Sequence, residues 1–341
     1  MIPGIVKVGI EVTYKCNSRC RSCRYWCADS QSKEEMTVVE YENMFREIVA
    51  MGGRRLGIVG GEPLLYSGIF EITRRGKNLG LAVTIGTNGL LLERYAKDII
   101  SSGVDILEVS IDGREEVHDK NRGVQGAFNQ TLRGICEVLD NRKSRPLIQF
   151  NFTPNKINVG ELLHVARIAR EEGADILSVE PAHDLNEYLT IGSDLSINPR
   201  QIKKFREEVN ILCQEFSDLL VPPMEYYEYI PDFFENPKNP HRLPKLSCCA
   251  GSLLIHIDPF GNVYSCPAKE KKIGNVRDKG LSVILRSEEM KDDIRRIKRG
   301  DHQQCWLNST APINLVVATL RQPHKWPSLA RLMADELSKR F

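Results

Sequence analysis

Short β-signatures alternate with amphipathic helical stretches over about the first 180 residues, and that alternation leaves few folds open. Ile5–Thr13 alternates apolar and polar residues as a strand does. Strand-like runs recur at Leu56–Val59, Leu81–Ile85, Ile106–Ile111, Leu147–Phe152 and Ile176–Val179. Between them, helical spacing appears around Phe70–Leu79, Leu91–Ile100, Ala127–Leu139 and Glu161–Glu171. Thr37-Val38-Val39-Glu40 reads as a capping box, followed by Tyr41, Met44, Phe45 and Ile48 on one helical face, with Gly52-Gly53 as a stop. Six strands with intervening helices predict an α/β fold of right-handed βαβ units on a parallel sheet. In such folds chemistry collects at the C-terminal ends of the strands.

After Pro181 the rhythm breaks. Asn198-Pro199 opens a helix with Ile202, Phe205, Val209 and Leu212 on one side, and a Pro- and Tyr-rich connection runs from Val221 to Pro244. This sets an expected boundary, with one unit over 1–220 and a second over 221–341. Leu253–Ile257, Asp258-Pro259-Phe260-Gly261 and Asn262–Tyr264 spell a hairpin with strong turn chemistry. Ser328–Phe341 has amphipathic helical spacing. The 341 residues carry 47 Lys+Arg against 45 Asp+Glu, a net charge of +2, so there is no basic field to grip nucleic acid. No stretch approaches the ~18 unbroken apolar residues of a spanning helix, and Met1–Val12 lacks a signal-peptide pattern. A cytoplasmic protein without membrane contact is expected.

Cysteine is the anomaly: ten residues, clustered at 16–27 and 248–305, with Cys136 and Cys213 alone on apolar helix faces. Without a secretory signal, clustered thiols point to metal or to chemistry rather than to disulfides. Cys16, Cys20 and Cys23 follow the first strand in one tight loop. Three soft thiolates at this spacing suit three irons of a 4Fe–4S cluster, or a zinc ion if Cys27 supplies a fourth ligand. Gly60-Gly61-Glu62-Pro63 ends the second strand, where glycines let the backbone approach a ligand and a carboxylate can receive an ammonium. Thr87-Asn88-Gly89 ends the third. Ser110-Ile111-Asp112-Gly113 ends the fourth and is followed by His118-Asp119 and Arg122-Gly123.

With these four motifs in order, the chain resembles the radical S-adenosylmethionine (SAM) enzymes from about residue 5 to about 270. The resemblance implies a partial (β/α)6 barrel of the TIM type. It assigns Cys16, Cys20 and Cys23 to a 4Fe–4S cluster whose open iron chelates SAM. Gly60, Gly61 and Glu62 would hold the methionine ammonium, and Ser110 with Arg122 its carboxylate. It also implies reductive cleavage of SAM to a 5′-deoxyadenosyl radical, abstraction of a substrate hydrogen atom, and a reductant such as flavodoxin or ferredoxin. One departure is Ser22, where relatives carry a bulky residue; Tyr25 or Trp26 can compensate.

Cys248-Cys249-Ala250-Gly251, the hairpin and Cys266-Pro267 resemble the auxiliary-cluster modules called SPASM or twitch. The resemblance implies a small α+β module with a second 4Fe–4S cluster on Cys249, Cys266 and Cys305, leaving Cys248 as a spare. Asn308 stands where twitch modules often place a fourth cysteine. Relatives with such modules often modify ribosomally made peptides, so a peptide substrate is expected first and a small molecule second. Glu180, His183-Asp184, Asn88, Asp112 and Asn151 lie at strand ends as further candidate contacts. A non-catalytic Fe–S or zinc protein is the rival from another class.

Overall fold

The computed structural model describes residues 5–28, 34–183, 195–221, 223–235, 244, 246–302 and 305–320. β1 (Lys7–Glu11), β2 (Arg55–Val59), β3 (Ala82–Thr87), β4 (Ile106–Ser110), β5 (Leu147–Phe152) and β6 (Ile176–Val179) lie side by side in chain order, all parallel. Helices α1 (Val38–Ala50), α2 (Ile69–Asn78), α3 (Leu92–Ser102), α4 (Glu115–Arg122), α5 (Ala127–Asn141) and α6 (Leu162–Glu171) make the crossovers. The expected capping box starts α1: Glu40 N–H donates to Thr37 Oγ1 at 3.3 Å and Thr37 N–H to Glu40 Oε2 at 2.7 Å. Tyr41, Met44, Phe45 and Ile48 are buried on its inner face.

Side chains alternate across each strand. Val8, Ile10, Leu56, Ile58, Val83, Ile85, Leu107, Val109, Ile148 and Phe150 face the helices and form one apolar core. Their neighbours Lys7, Thr84, Glu108, Gln149, Asn151 and Ser178 line cavities on the other face. The sheet thus has a greasy outside and a polar inside, as an open barrel with a working lumen requires.

The C-terminal region adds to this same sheet. β7 (Leu254–Ile257) pairs parallel with β1, and β8 (Asn262–Tyr264) and β9 (Lys272–Asn275) follow antiparallel, giving nine strands in all. The β7–β8 turn is held by Asp258, whose Oδ1 accepts from the N–H groups of Phe260 and Asn262 at 3.0 and 2.9 Å. Helix α7 (Pro199–Glu215) begins at the expected Asn198-Pro199. At the opposite edge, Tyr226 Oη donates to Val179 O at 2.9 Å and Trp306 N–H to His183 Nε2 at 2.9 Å. The later chain therefore covers both edges of the six-stranded core. Cys136 departs from expectation: it is exposed on α5, near Glu172, and is not a core thiol. The expected tail helix Ser328–Phe341 lies outside the described residues. Among the described residues no helix is long and apolar enough to cross a membrane.

A buried charge cluster ties the C-terminal region to β1. Lys269 Nζ lies 2.9 Å from Glu11 Oε2 and also reaches the hydroxyls of Tyr14 and Tyr25 at 3.2 and 3.1 Å. His256 Nε2 is 3.1 Å from Glu11 Oε1. Burial alone would raise the Glu11 carboxyl, but His256, Lys269 and Tyr25 outweigh it and hold it down at about 2. Removing one partner strands a buried charge, so Lys269→Met should lower stability at pH 7 by about 3–5 kcal/mol. A carboxyl depressed in the fold stabilises above its unfolded value, and that contribution fades as pH falls from 4.5 toward 2. Urea midpoints should therefore show a gap between wild type and Lys269→Met that narrows as the pH is lowered through that window. A gap independent of pH would show that Lys269 acts by its stem alone.

Candidate functional site

The first cysteine loop is fixed by backbone contacts at two places. Arg19 N–H and Arg21 N–H donate to Arg122 O and Asn121 O, at 2.9 and 3.2 Å, so the loop caps the end of α4. Gly123 makes this possible: its φ is +66°, and a Cβ there would stand 2.5 Å from Arg19 O. On the other side, Gly61 N–H donates to Thr13 O at 2.7 Å and Glu62 N–H to Lys15 O at 2.8 Å. A Cβ on Gly60 would come within 2.4 Å of Thr13 O, and one on Gly61 within 2.3 Å of Lys15 O. The chain leading into Cys16 therefore also requires these two glycines, beside any ligand that approaches them.

A cavity of about 330 Å³ opens between these elements at the C-terminal ends of the strands. Cys16, Cys20 and Cys23 share its wall with Gly60, Gly61, Ser110 and Arg122. Seven of the eight residues expected around SAM and its cluster, all but Glu62, thus meet at one place. Glu62 is different. Its carboxylate is fully buried and accepts from Leu64 N–H, Thr87 Oγ1 and Asn88 N–H at 3.1, 2.8 and 2.8 Å. It does not face the cavity; it locks the second motif to the third. Burial pushes it up to about 7 despite those donors.

Arg122 Nε lies 2.6 Å from Asp112 Oδ2, and its guanidinium reaches Cys20 Sγ at 3.8 Å. Asn88 Nδ2 donates to Asn17 Oδ1 at 2.7 Å and stands 3.8 Å from Cys16 Sγ. Ser18 N–H points at the same sulfur, at 3.4 Å. Asp112 and Asn88 therefore act through Arg122 and Cys16, roles that their strand-end positions hinted at without specifying. Tyr25 is committed to Glu11 at 2.6 Å and stacks on Tyr14, whereas Trp26 remains half-exposed under the Arg19 guanidinium.

The donor set fits an iron–sulfur cluster with SAM beside it. Burial pushes the Cys23 thiol up to about 12 and raises Cys16 and Cys20, so iron, not solvent, must displace these protons. Ser18 Oγ and Asp112 Oδ1 are buried on the cavity wall without a hydrogen-bond partner, as atoms awaiting a polar ligand would be. Zinc fits less well. Cys27, its expected fourth ligand, is exposed and off the cavity wall. Among the described residues, no three His, Cys, Asp or Glu side chains are grouped to hold a single metal ion.

Of the cysteines expected at a second cluster, Cys266 and Cys305 share a pocket with the spare, Cys248. Cys248, Cys266 and Cys305 line one pocket, and Cys249 does not. Neighbouring side chains in extended backbone point to opposite sides. Ala250 bridges to Leu254, and Cys249 N–H is held by Asn314 Oδ1 at 2.9 Å, which leaves the Cys249 side chain buried elsewhere. Asn308 is no ligand either: its N–H donates to Glu180 Oε2 and its Nδ2 to Ser178 Oγ, both at 3.3 Å. His183, buried against Phe233, accepts from Trp306 and is structural; Asp184 lies outside the described residues.

Comparison with known proteins agrees with this geometry. Residues 10–169 match the radical SAM superfamily, and residues 248–307 match SPASM, an iron–sulfur cluster-binding domain. The AdoMet-dependent heme synthase of Methanosarcina barkeri is 40% identical over 166 residues, 48% of this chain and 47% of that protein. The Fe-coproporphyrin III synthase of the same organism is 26% identical over 300 residues, 80% of this chain and 72% of the relative. The chain thus spans about half the length of the heme synthase. Streptococcus suis SuiB, solved with its precursor peptide SuiA, superposes with a TM-score of 0.67 at 16% identity, covering 85% of this chain and 66% of SuiB. This chain thus carries a radical SAM domain over residues 10–169, with the three-cysteine loop and the motif-bearing strand ends, and a SPASM iron–sulfur domain over residues 248–307.

Proposed function

We propose that the protein reductively cleaves SAM and abstracts a hydrogen atom from a substrate held in the barrel lumen. The single observation that carries this is the cavity that gathers Cys16, Cys20 and Cys23 with Gly60, Gly61, Ser110 and Arg122. A 4Fe–4S cluster on the three thiolates would supply the electron that breaks the S–C5′ bond. The chain's own part is to bind and orient. The backbone of Gly60 and Gly61 forms the wall on the methionine side, with Glu62 bracing that turn from behind. Arg122, steadied by Asp112, presents its guanidinium to the methionine carboxylate beside Ser110. Glu180 lines the same cavity, and burial, with Glu108 nearby, pushes its carboxyl up to about 7, so its Oε atoms can hold or release a proton near neutral pH. The lumen continues toward a second cavity of about 370 Å³ at the other strand ends, with Glu108 on both walls.

Anaerobically reconstituted protein, reduced with dithionite and given SAM, should form 5′-deoxyadenosine and methionine. Intact clusters without these products would favour the non-catalytic rival. Arg122→Ala should weaken SAM binding by on the order of 1.5–3 kcal/mol, the worth of a hydrogen bond to a charged group. Equilibrium dialysis with labelled SAM measures it, and unchanged affinity would remove Arg122 from the site.

For the substrate, a tetrapyrrole reading now stands beside the peptide one. It is favoured by the relative named as an Fe-coproporphyrin III synthase, whose match extends over 80% of the chain. The likeness to peptide-bound SuiB, at 16% identity, speaks for the fold. Under the tetrapyrrole reading, added Fe-coproporphyrin III raises 5′-deoxyadenosine formation above the uncoupled rate. No stimulation in an otherwise active preparation returns the substrate to the peptide class.

A further inference from the structure

We propose that Lys7 and Arg55 hold a carboxylate of a tetrapyrrole-sized substrate at the floor of the barrel. The inference deepens the reading that the substrate occupies the lumen, and it rests on that reading.

Lys7 and Arg55 open β1 and β2 and are direct partners in the parallel register of the two strands. Both line the cavity of about 370 Å³ on the lumen side. Like charges on paired strand positions repel, so this pair costs stability unless an anion stands beside it. Among the described residues, neither side chain makes a hydrogen bond or an ion pair. The acids of the lumen are engaged elsewhere. Asp105 lies 2.6 Å from Lys77 Nζ and accepts from Val83 N–H at 2.7 Å. Glu108 accepts from Asn151 Nδ2 and Glu180 from Asn308 N–H, both at 3.3 Å. Lys7 acts on Glu180 only as a charge at a distance. The two cations therefore face the cavity with no counter-ion of the chain's own.

The space around them is kept clear. Gly57 is the next inward residue of β2, and a Cβ there would meet Lys7 Cε at 3.7 Å and no other atom within 4 Å. A glycine inside a strand gives up packing and often marks a close approach of a ligand to the backbone. Val221, Pro312 and Ile313 give the same cavity an apolar side. Charge at one point and an apolar wall beside it suit an acid with a broad apolar body. Glu108 stands on the walls of both cavities, so this floor and the cysteine-lined site share one lumen. At about 3.3 Å per strand residue, Arg55 lies on the order of 15 Å below Gly60. A substrate that touches both ends must have that reach, which a tetrapyrrole with propionate arms has and a free amino acid lacks.

The test titrates the full chain, reconstituted anaerobically, with Fe-coproporphyrin III and with its propionate methyl ester, followed by the Soret band. The ester keeps the ring and loses the charge. Wild type should bind the acid roughly tenfold more tightly than the ester, the low end of what a hydrogen bond to a charged group is worth. Lys7→Met and Arg55→Gln should each weaken binding of the acid by roughly tenfold and leave the ester unchanged. Lys7→Arg should bind the acid as wild type does. Equal binding of acid and ester by wild type, or unchanged binding of the acid by either variant, overturns the assignment. Should Lys7→Met not fold, the exposed Arg55 and the ester decide the matter alone. Wild type that forms 5′-deoxyadenosine but does not bind Fe-coproporphyrin III overturns the carboxylate site and leaves SAM cleavage standing. Wild type that prefers the acid but forms no 5′-deoxyadenosine overturns the cleavage reading and leaves the carboxylate site.

Discussion

Replacing Cys16, Cys20 or Cys23 with alanine is expected to abolish 5′-deoxyadenosine formation outright, each one alone, while the protein stays folded. The loop that carries them owes its shape to backbone bonds, from Arg19 and Arg21 to the end of α4 and from Gly61 and Glu62 to the chain before Cys16. None of these bonds uses a sulfur. The large apolar core lies on the far face of the strands and includes none of the three. Losing one thiol therefore leaves the backbone bonds of the loop and the large core in place, and the fold is expected to survive it. The chemistry has no such tolerance, because a cluster short of one ligand cannot present a single open iron to SAM. Anaerobic turnover with dithionite, alongside far-UV circular dichroism, separates the two effects. Cys27→Ala is the control: exposed and off the cavity wall, it should change neither measurement. Retained cleavage in any of the three loop variants, or full loss in Cys27→Ala, would sink the assignment of the loop.

The strands and most helices were legible because their periodicities are strong and their caps are spelled out. The Thr37–Glu40 box and Asn198-Pro199 both start helices where the sequence puts them. The motif residues converge because each ends a strand of one parallel sheet, so chain order becomes spatial order. What could not be read was how each side chain is used. Glu62 reads equally well as a ligand for an ammonium or as a brace, and its three donors from Leu64, Thr87 and Asn88 come from a neighbouring motif that its own surroundings in the sequence do not announce. The glycines of the second motif are likewise explained by a neighbouring backbone that no local pattern encodes. The Glu11–Lys269 pair joins residues 258 positions apart and has no local signature at all. Such long-range pairs are where periodicity has nothing to say.

The adjacent cysteines are the sharpest case, and they set the second large effect. Reconstituted wild-type protein should hold about eight irons, the sum of two four-iron clusters. Cys248→Ala, Cys266→Ala and Cys305→Ala should each lose about four of them, half the total, because these three thiols line one pocket. Cys249→Ala should keep all eight. Its side chain lies buried away from that pocket, so its removal trims packing without touching iron. SAM cleavage should survive in all four variants, since the first cluster is built from the other end of the chain. Iron analysis with Mössbauer spectroscopy reads the result directly. If Cys249→Ala loses the second cluster and Cys248→Ala keeps it, the turn that bridges Ala250 to Leu254 presents the adjacent pair the other way round in solution. Such a change would turn both cysteine side chains to the opposite side. It would also have to break the bond from Cys249 N–H to Asn314 Oδ1, 2.9 Å long and buried, which is why the iron is expected to follow Cys248.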